Sequence, residues 1–195
     1  MKIILASKSG VRKKILDKNN ITAEVVVSGV DEDQTKDSLL AEGATPLDIS
    51  KSLAELKSVK VSNQNPNRLV LGADSVISLN NELINKPKSR EEALKILKRL
   101  NNNKHYLISS VCISKNGSMI WHYTDKSELK MKYFKDEELT KYLAKIKTET
   151  LLAYGVYQVE AEGLKLFEYI NGDQDSIMGL PIKQILNYIE QIKNE

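Results

Sequence analysis

One acidic residue lies in the middle of a strongly apolar stretch of this sequence. Asp74 falls within RLVLGADSVISL, residues 68–79, whose apolar and β-branched content predicts a buried strand. An ionised carboxylate in that setting needs a cation, a metal ion or hydrogen-bond donors to compensate for its lost hydration. Asp74 is therefore a candidate metal ligand or water-activating base, and the structural alternative is a carboxylate bound by backbone N–H groups at a bulge. Gly72, two residues earlier, would let a ligand or another backbone segment approach the strand closely.

A second candidate site is the turn within LASKSGVRKK, residues 5–14. A predicted strand ends at Ala6, and a turn containing Ser7 and Ser9 opens a helix that carries Arg12 in its first turn. Backbone N–H groups, the positive end of the helix dipole and cationic side chains together favour the binding of an anion. A plain helix N-cap at Ser9 is the simpler alternative.

Three further charged residues are candidates on weaker grounds. Glu32, in the acidic segment VDED, either shares a metal ion with Asp74 or is a solvated loop charge. Lys86 precedes Pro87, whose ring restricts the backbone and would hold the lysine in an extended loop. Lys57 borders a predicted helical stripe. That stripe is assigned to Ile49, Leu53, Leu56 and Lys60.

The elements that must position these residues alternate between strands and helices, which favours an α/β fold. Strands are predicted over residues 2–6, 23–28 and 68–79, a helix over 11–18, and a polar loop over 29–38. Thr45, Pro46 and Asp48 form a helix-start signal. The Asn-Asn pair at 80–81 and the KNG turn at 115–117 predict β-hairpins. Amphipathic helices are predicted within 136–147 and 179–193.

Composition excludes several classes of protein. The 195 residues are 41% hydrophobic and 28% charged, and the 29 basic and 26 acidic residues are spread along the chain, which suits a polyanionic small molecule as well as a nucleic acid. A basic RNA-contacting domain would bind in a salt-sensitive manner, but the basic stripe that it needs is missing. Neither His105 nor His122 has a second His or Cys at ligand spacing, which argues against zinc. The single cysteine, Cys112, sits in an apolar run and is read as a small buried residue; with no signal peptide or membrane span, we expect a cytoplasmic protein.

Several of these segments, in this order, resemble the Maf family of nucleoside triphosphate pyrophosphatases. The similarity covers nearly the whole chain and rests on motifs at the family's spacing, which are LASKSGVRKKIL, VDED, LAELKSV, LGADSVISLNNELINKP and the GLP at 179–181. The chain departs from the family pattern at Gly10, where Pro is usual, and at Val11, which replaces the first Arg of a pair. Glu160 stands where the best-known members carry Gln, and in this respect the chain resembles a branch in which 7-methyl-GTP hydrolysis is known.

The resemblance implies an elongated α/β fold in one domain, residues 1–195, with a mixed central sheet flanked by helices, two lobes and a cleft, usually as a homodimer. It implies hydrolysis of a nucleoside triphosphate to the monophosphate and pyrophosphate with Mg²⁺ or Mn²⁺. The catalytic positions it implies are Asp74, Glu32, Lys86 and Lys57, with Asp74 and Glu32 as metal ligands, and the substrate-binding positions are Ser7, Ser9, Arg12 and Glu160. The alternative is a nucleotide-binding regulator of cell division with little catalysis.

Overall fold

The computed structural model describes residues 2–159 and 162–194 and shows a mixed α/β fold. Its strands are β1 (Lys2–Leu5), β2 (Thr22–Val25), β3 (Val70–Leu79), β4 (Glu82–Ile84), β5 (Lys104–Lys115), β6 (Ser118–Met131) and β7 (Phe167–Asn171). Its helices are α1 (Gly10–Lys18), α2 (Glu32–Ala41), α3 (Pro46–Gln64), α4 (Arg90–Leu100), α5 (Asp136–Ala144), α6 (Thr148–Tyr154), α7 (Gln174–Ile177) and α8 (Ile182–Gln191).

The strands pair in the order β2-β1-β3-β5-β6-β7, with β4 also paired to β3. β1 runs parallel to both β2 and β3, whereas the pairs β3–β4 and β6–β7 are antiparallel. The predicted α/β fold with a mixed sheet flanked by helices is therefore confirmed. The chain divides into a first unit, residues 2–76, 108–126 and 173–194, and a second unit, the described parts of 77–107 and 127–172.

Both predicted hairpins are present, because their turn residues adopt the left-handed backbone conformation that these turns need. Asn80 and Asn81 have φ of 51° and 66° and connect β3 to β4. Asn116 and Gly117 have φ of 50° and 78° and connect β5 to β6. Asparagine and glycine tolerate this conformation better than other residues, so both turns could be predicted from local sequence.

The predicted polar loop over residues 29–38 is wrong, because most of it belongs to α2. The carboxylate of Asp31 accepts a hydrogen bond from the backbone N–H of Gln34 at 3.0 Å and caps the helix. Glu32 and Asp33 follow in the first turn, where negative charge interacts favourably with the helix dipole. None of the residues of α2 is buried, so the helix has no apolar stripe from which it could be predicted.

The buried face of α3 also differs from the prediction. Leu56 is 44% exposed and Lys60 is exposed, whereas Lys57 is buried at 5% exposure. The buried residues are Pro46, Ile49, Ser50, Leu53, Ala54, Lys57, Ser58, Val61 and Ser62. Small residues recur on this face at every fourth position, so the helix can lie close to the element that it covers.

That element is β3, and the backbone of α3 comes close to the strand at Gly72. A Cβ atom built on Gly72 would lie 2.1 Å from the carbonyl oxygen of Ala54 and 2.8 Å from the backbone nitrogen of Ser58. Contacts this short do not occur between real atoms, so any side chain at position 72 would push α3 away from the strand. The expected close approach at Gly72 is therefore confirmed, and the partner is the backbone of α3.

The second unit has its own apolar core, made by residues such as Leu97, Leu100, Leu129 and Leu139. His105 lies within this unit with no exposed surface, and its Nε2 is 2.9 Å from the hydroxyl oxygen of Tyr157. Burial lowers the pKa of His105 to about 4, and it raises the pKa of the Tyr157 hydroxyl. Both groups are therefore neutral at physiological pH.

Cys112 is fully buried, and burial raises the pKa of its thiol to about 12, as expected of a small structural residue. None of the helices in the two described stretches is both long and apolar enough to span a bilayer.

We expect Gly72→Ala to lower the free energy of unfolding by roughly 3 kcal/mol or more, because the new Cβ would overlap the backbone of α3. Gly10→Ala is the matched control, since a Cβ there has nothing within 4 Å. That control should stay within about 1 kcal/mol of the wild type. Urea unfolding measures both changes, and equal stabilities of the two variants would contradict the proposed close approach.

Burial of His105 predicts a dependence of stability on pH. The folded state binds the His105 proton only near pH 4, whereas the unfolded chain binds it near its ordinary pKa of 6.5. As the pH falls from 6.5 to 4, the free energy of unfolding should therefore decrease, by up to about 3 kcal/mol from this group. His105→Gln should flatten that part of the profile, whereas the exposed control His122→Gln should not. An unchanged slope in His105→Gln would rule out this origin.

Candidate active site

The buried carboxylate of Asp74 is paired with a lysine. Asp74 is 5% exposed on β3, and its Oδ1 accepts a hydrogen bond from Nζ of Lys57 at 2.7 Å. Lys57 reaches the strand because it lies on the face of α3 that packs against Gly72. The ion pair explains how an acidic residue can occupy this position in the strand.

The same ammonium group contacts a second carboxylate. Glu32, the first residue of α2, has its Oε1 2.8 Å from Nζ of Lys57. The Glu32 side chain is 38% exposed, whereas those of Lys57 and Asp74 are each 6% exposed. The structure thus brings together three of the predicted catalytic residues, with Lys57 bridging an accessible carboxylate and a buried one.

The other oxygen of Asp74 has no such partner. Oδ2 is buried and accepts no hydrogen bond from any residue of the described ranges 2–159 and 162–194. The alternative of a carboxylate bound by backbone N–H groups at a bulge is therefore not what the structure shows for this atom. A buried carboxylate oxygen without a partner is costly in free energy, so this atom is well suited to bind a ligand.

A residue that the sequence does not single out, Ser50, also holds the backbone of Asp74. Ser50, fully buried on α3, donates a hydrogen bond from its hydroxyl to the backbone carbonyl of Asp74 at 3.2 Å. Ser50 begins the small-residue face that continues through Ala54 and Ser58. The regular four-residue spacing of those positions is the signal that could have identified it.

Arg12 connects four separate places in the first unit. Its Nε donates to the carbonyl of Gly179 at 2.9 Å, its Nη1 donates to the carbonyl of Ala73 at 2.9 Å and to Ser7 Oγ at 3.2 Å, and its Nη2 donates to Ser75 Oγ at 3.1 Å. Burial lowers the pKa of Arg12, and the negative charges of Asp74 and Glu32 offset part of that effect. These contacts show that Arg12 holds the strand around Asp74. Its binding of substrate stays a prediction.

The contact between Arg12 and Ala73 continues the edge of β3 after its neighbour β1 has ended. The N–H of Ala6 donates to the carbonyl of Leu71 at 2.8 Å, and the next carbonyl on the same edge belongs to Ala73. Gly179 packs against the same guanidinium with φ of +97°, and a Cβ there would lie 3.3 Å from Arg12 Nε. These contacts explain why the GLP motif contains glycine at this position.

The two serines of the N-terminal turn make local hydrogen bonds. Ser9 Oγ accepts from the backbone N–H of Arg12 at 3.4 Å, so the simpler N-cap interpretation describes this side chain. Ser7 Oγ accepts from the backbone N–H of Ser9 at 3.3 Å. Both serines are partly exposed, and their binding of a substrate anion stays a prediction.

The sequence predicts two further site residues, Lys86 and Glu160. Lys86 belongs to the second unit and lies in a loop before the buried Pro87, as predicted, and its side chain is exposed. Glu160 lies outside the described residues. The catalytic role of Lys86 and the substrate-binding role of Glu160 therefore stay predictions.

The donor set is compatible with a hard divalent cation. Within residues 2–159 and 162–194 no cluster of three or more His, Cys, Asp or Glu side chains is suitable for a metal. Mg²⁺ is commonly held by only one or two carboxylates and completes its shell with water and substrate phosphates. The carboxylates of Glu32 and Asp74, which both contact Lys57, fit this arrangement.

We expect Arg12→Lys to lower the free energy of unfolding by roughly 2 kcal/mol or more, because an ammonium group cannot reproduce the contacts of the planar guanidinium. Lys13→Ala is the control on the same helix, where it removes only a surface pair with Asp17 worth about 0.5 kcal/mol or less. Denaturant unfolding measures both variants. A cost for Arg12→Lys no larger than that of the control would show that the four contacts contribute little.

Comparison with known proteins identifies the family. The profile of the family described as Maf-like protein matches residues 2–192. A protein of Pelagibacter ubique named nucleoside triphosphate pyrophosphatase is 60% identical over 98% of both chains, and one of Brucella abortus named 7-methyl-GTP pyrophosphatase is 33% identical over 99% of this chain and 97% of its own. Among solved structures, a HAM1 protein from Coxiella burnetii has a TM-score of 0.46 and 13% identity, covering 67% of this chain and 73% of the other. On the profile match and the sequence identities, this chain belongs to the Maf-like protein family.

Proposed function

We propose that this protein hydrolyses nucleoside triphosphates to the monophosphate and pyrophosphate. The relatives from Pelagibacter ubique and Caulobacter vibrioides, 60% and 40% identical to this chain, are both named nucleoside triphosphate pyrophosphatase. The observation in this chain that carries the proposal is the bridge from Lys57 to Glu32 and Asp74, next to a buried carboxylate oxygen without a partner. A site for binding alone would not require a base.

Asp74 is the proposed general base. Its Oδ1 is neutralised by Lys57, whereas Oδ2 has no hydrogen-bond partner in the described chain and is able to accept a proton from the attacking water. Ser50 and Arg12 hold the backbone on either side of this carboxylate, so its position is set before the substrate binds. Such preorganisation lowers the cost of reaching the transition state.

The cationic groups are proposed to bind the triphosphate. Lys57 lies in the site itself, and the turn from Ser7 to Arg12 presents the N-terminus of α1. These groups would neutralise the charge that develops on the leaving pyrophosphate. Lys86 is proposed to contribute in the same way, and Glu160 is proposed to contact the nucleoside or the reacting phosphate.

We further propose that Glu32 and Asp74 hold Mg²⁺ or Mn²⁺. When bound, the ion would polarise a phosphate oxygen and lower the charge that the protein must neutralise. The base preference is proposed to include 7-methyl-GTP, for which the Brucella abortus relative is named. A homodimer in the cytoplasm is proposed from the family resemblance and from the single cysteine, which is buried.

Asp74→Asn should reduce turnover by roughly a hundredfold or more, because the amide keeps the shape of the side chain and removes the base. The assay supplies Mg²⁺ or Mn²⁺ with UTP, dTTP, CTP, GTP or 7-methyl-GTP and measures pyrophosphate and monophosphate together. Asp17→Asn, which removes an exposed carboxylate of α1, is the matched control and should retain wild-type turnover.

The products separate the alternatives. Equal amounts of monophosphate and pyrophosphate would establish the cleaved bond, and the preferred triphosphate would show the base preference. Near-normal turnover by Asp74→Asn would exclude this residue as the base. Nucleotide binding by the wild type without any product under both metals would favour the regulator of cell division.

A further inference from the structure

We propose that the ammonium group of Lys57 is an internal counter-ion that a divalent metal must displace from Asp74, so that metal and triphosphate bind together. This inference rests on the proposed function in one respect, because it takes Glu32 and Asp74 as the metal-binding pair. It adds a step in which Lys57 changes partners.

The ammonium group of Lys57 lies between the two carboxylates. Nζ of Lys57 lies 2.8 Å from Glu32 Oε1 and 2.7 Å from Asp74 Oδ1, and so occupies the space between the two carboxylates. A divalent cation bound to Glu32 Oε1 and Asp74 Oδ1 would need the same space, because its bonds to oxygen are still shorter, at about 2.0 to 2.1 Å for Mg²⁺. Metal and ammonium therefore compete for one place. Oδ2 of Asp74 would then stay available as the base.

Exposure indicates the route by which this competition proceeds. The Glu32 side chain is 38% exposed, whereas Lys57 and Asp74 are each 6% exposed. Glu32 is therefore the carboxylate that an ion from solvent meets first, and the ammonium group of Lys57 lies between Glu32 and the buried Asp74. The four-carbon stem of lysine is flexible enough to swing the ammonium to a new partner.

Charge explains why the triphosphate should accompany the metal. Glu32 and Asp74 carry two negative charges, and Lys57 and Arg12 carry two positive charges, so the four side chains sum to zero. A divalent cation entering alone would add two positive charges to these four balanced side chains. A triphosphate supplies the missing negative charge and offers the displaced ammonium group new oxygen partners.

Arg12 cannot be the cation that changes partners. Its guanidinium donates to Ser7, Ala73, Ser75 and Gly179, and withdrawing it would leave the carbonyl of Ala73 without that donor. Lys57 contacts only the two carboxylates through the hydrogen bonds and ion pairs observed in the described chain. Lys57 is therefore the cation that exchanges partners, while Arg12 stays in place.

The test measures Mn²⁺ binding without nucleotide, by the electron paramagnetic resonance signal of free Mn²⁺. Wild-type protein should bind Mn²⁺ weakly, and Lys57→Met should bind it at least about tenfold more tightly, because the competing charge is gone. Lys57→Arg keeps that charge and should resemble the wild type. Lys60→Met controls for the general loss of a positive charge, since Lys60 lies one turn further along α3 and contacts only the carbonyl of Gly29 among the hydrogen bonds observed.

Equal Mn²⁺ affinity in wild type and Lys57→Met would overturn the proposal, as would an equal gain in Lys60→Met. A second measurement on the wild type does not depend on the folding of a variant. Lys57, which is shielded in the resting state, should be acetylated faster by an amine-reactive ester at saturating Mn²⁺ than without metal. An unchanged rate of modification, followed by mass spectrometry, would also overturn the proposal.

These readouts are independent of turnover. If the wild type releases no pyrophosphate from any triphosphate, the proposed function fails, and the Mn²⁺ affinities still decide whether Lys57 competes with the metal. If turnover is normal and Lys57→Met shows no gain in Mn²⁺ affinity, the proposed function stands and this inference fails.

Discussion

The pairing of Asp74 with Lys57 is the interaction on which the first unit depends. A carboxylate that is 5% exposed on a strand is tolerated only when a cation compensates for its lost hydration. That cation comes from α3, so the helix has to lie close to the strand. Gly72 permits this approach, because a Cβ at that position would overlap the backbone of Ala54. Packing at Gly72 and charge at Asp74 therefore both require α3 to lie close to β3.

The remaining contacts hold the strand on which the carboxylate lies. Ser50 fixes the backbone of Asp74 from α3, and Arg12 fixes Ala73 and Ser75 from α1. Each of these groups is itself anchored, since Arg12 also binds the carbonyl of Gly179. This arrangement leaves Oδ2 of Asp74 as the buried atom with an unsatisfied acceptor in the site. A rigid frame around one unsatisfied oxygen is an arrangement that favours ligand binding over further structural stabilisation.

The buried polar groups around His105 in the second unit differ from those of the first unit. The core of the second unit is apolar, and its buried His105 and Tyr157 are neutral groups that share a hydrogen bond between Nε2 and the hydroxyl oxygen. The tilted rings of His105 and Phe167, whose centroids are 6.0 Å apart, complete this packing. Charge is thus buried as an ion pair in the first unit, whereas the polar groups buried in this part of the second unit are uncharged.

The sequence by itself determined the features that depend on neighbouring residues. The hairpins at Asn80 and Asn116, the cap of α3 at Thr45 and the need of Asp74 for a compensating charge all follow from short-range chemistry. Only the tertiary structure decided that Lys57 is the cation that compensates for the charge of Asp74. The sequence places Lys57 only at the margin of a stripe. It predicts a loop for most of α2, whose first residue, Glu32, contacts Lys57. The physical reason is that serine, alanine and glycine carry no periodic hydrophobic signal. The packing of α3 on β3, which selects Lys57, is made by such residues.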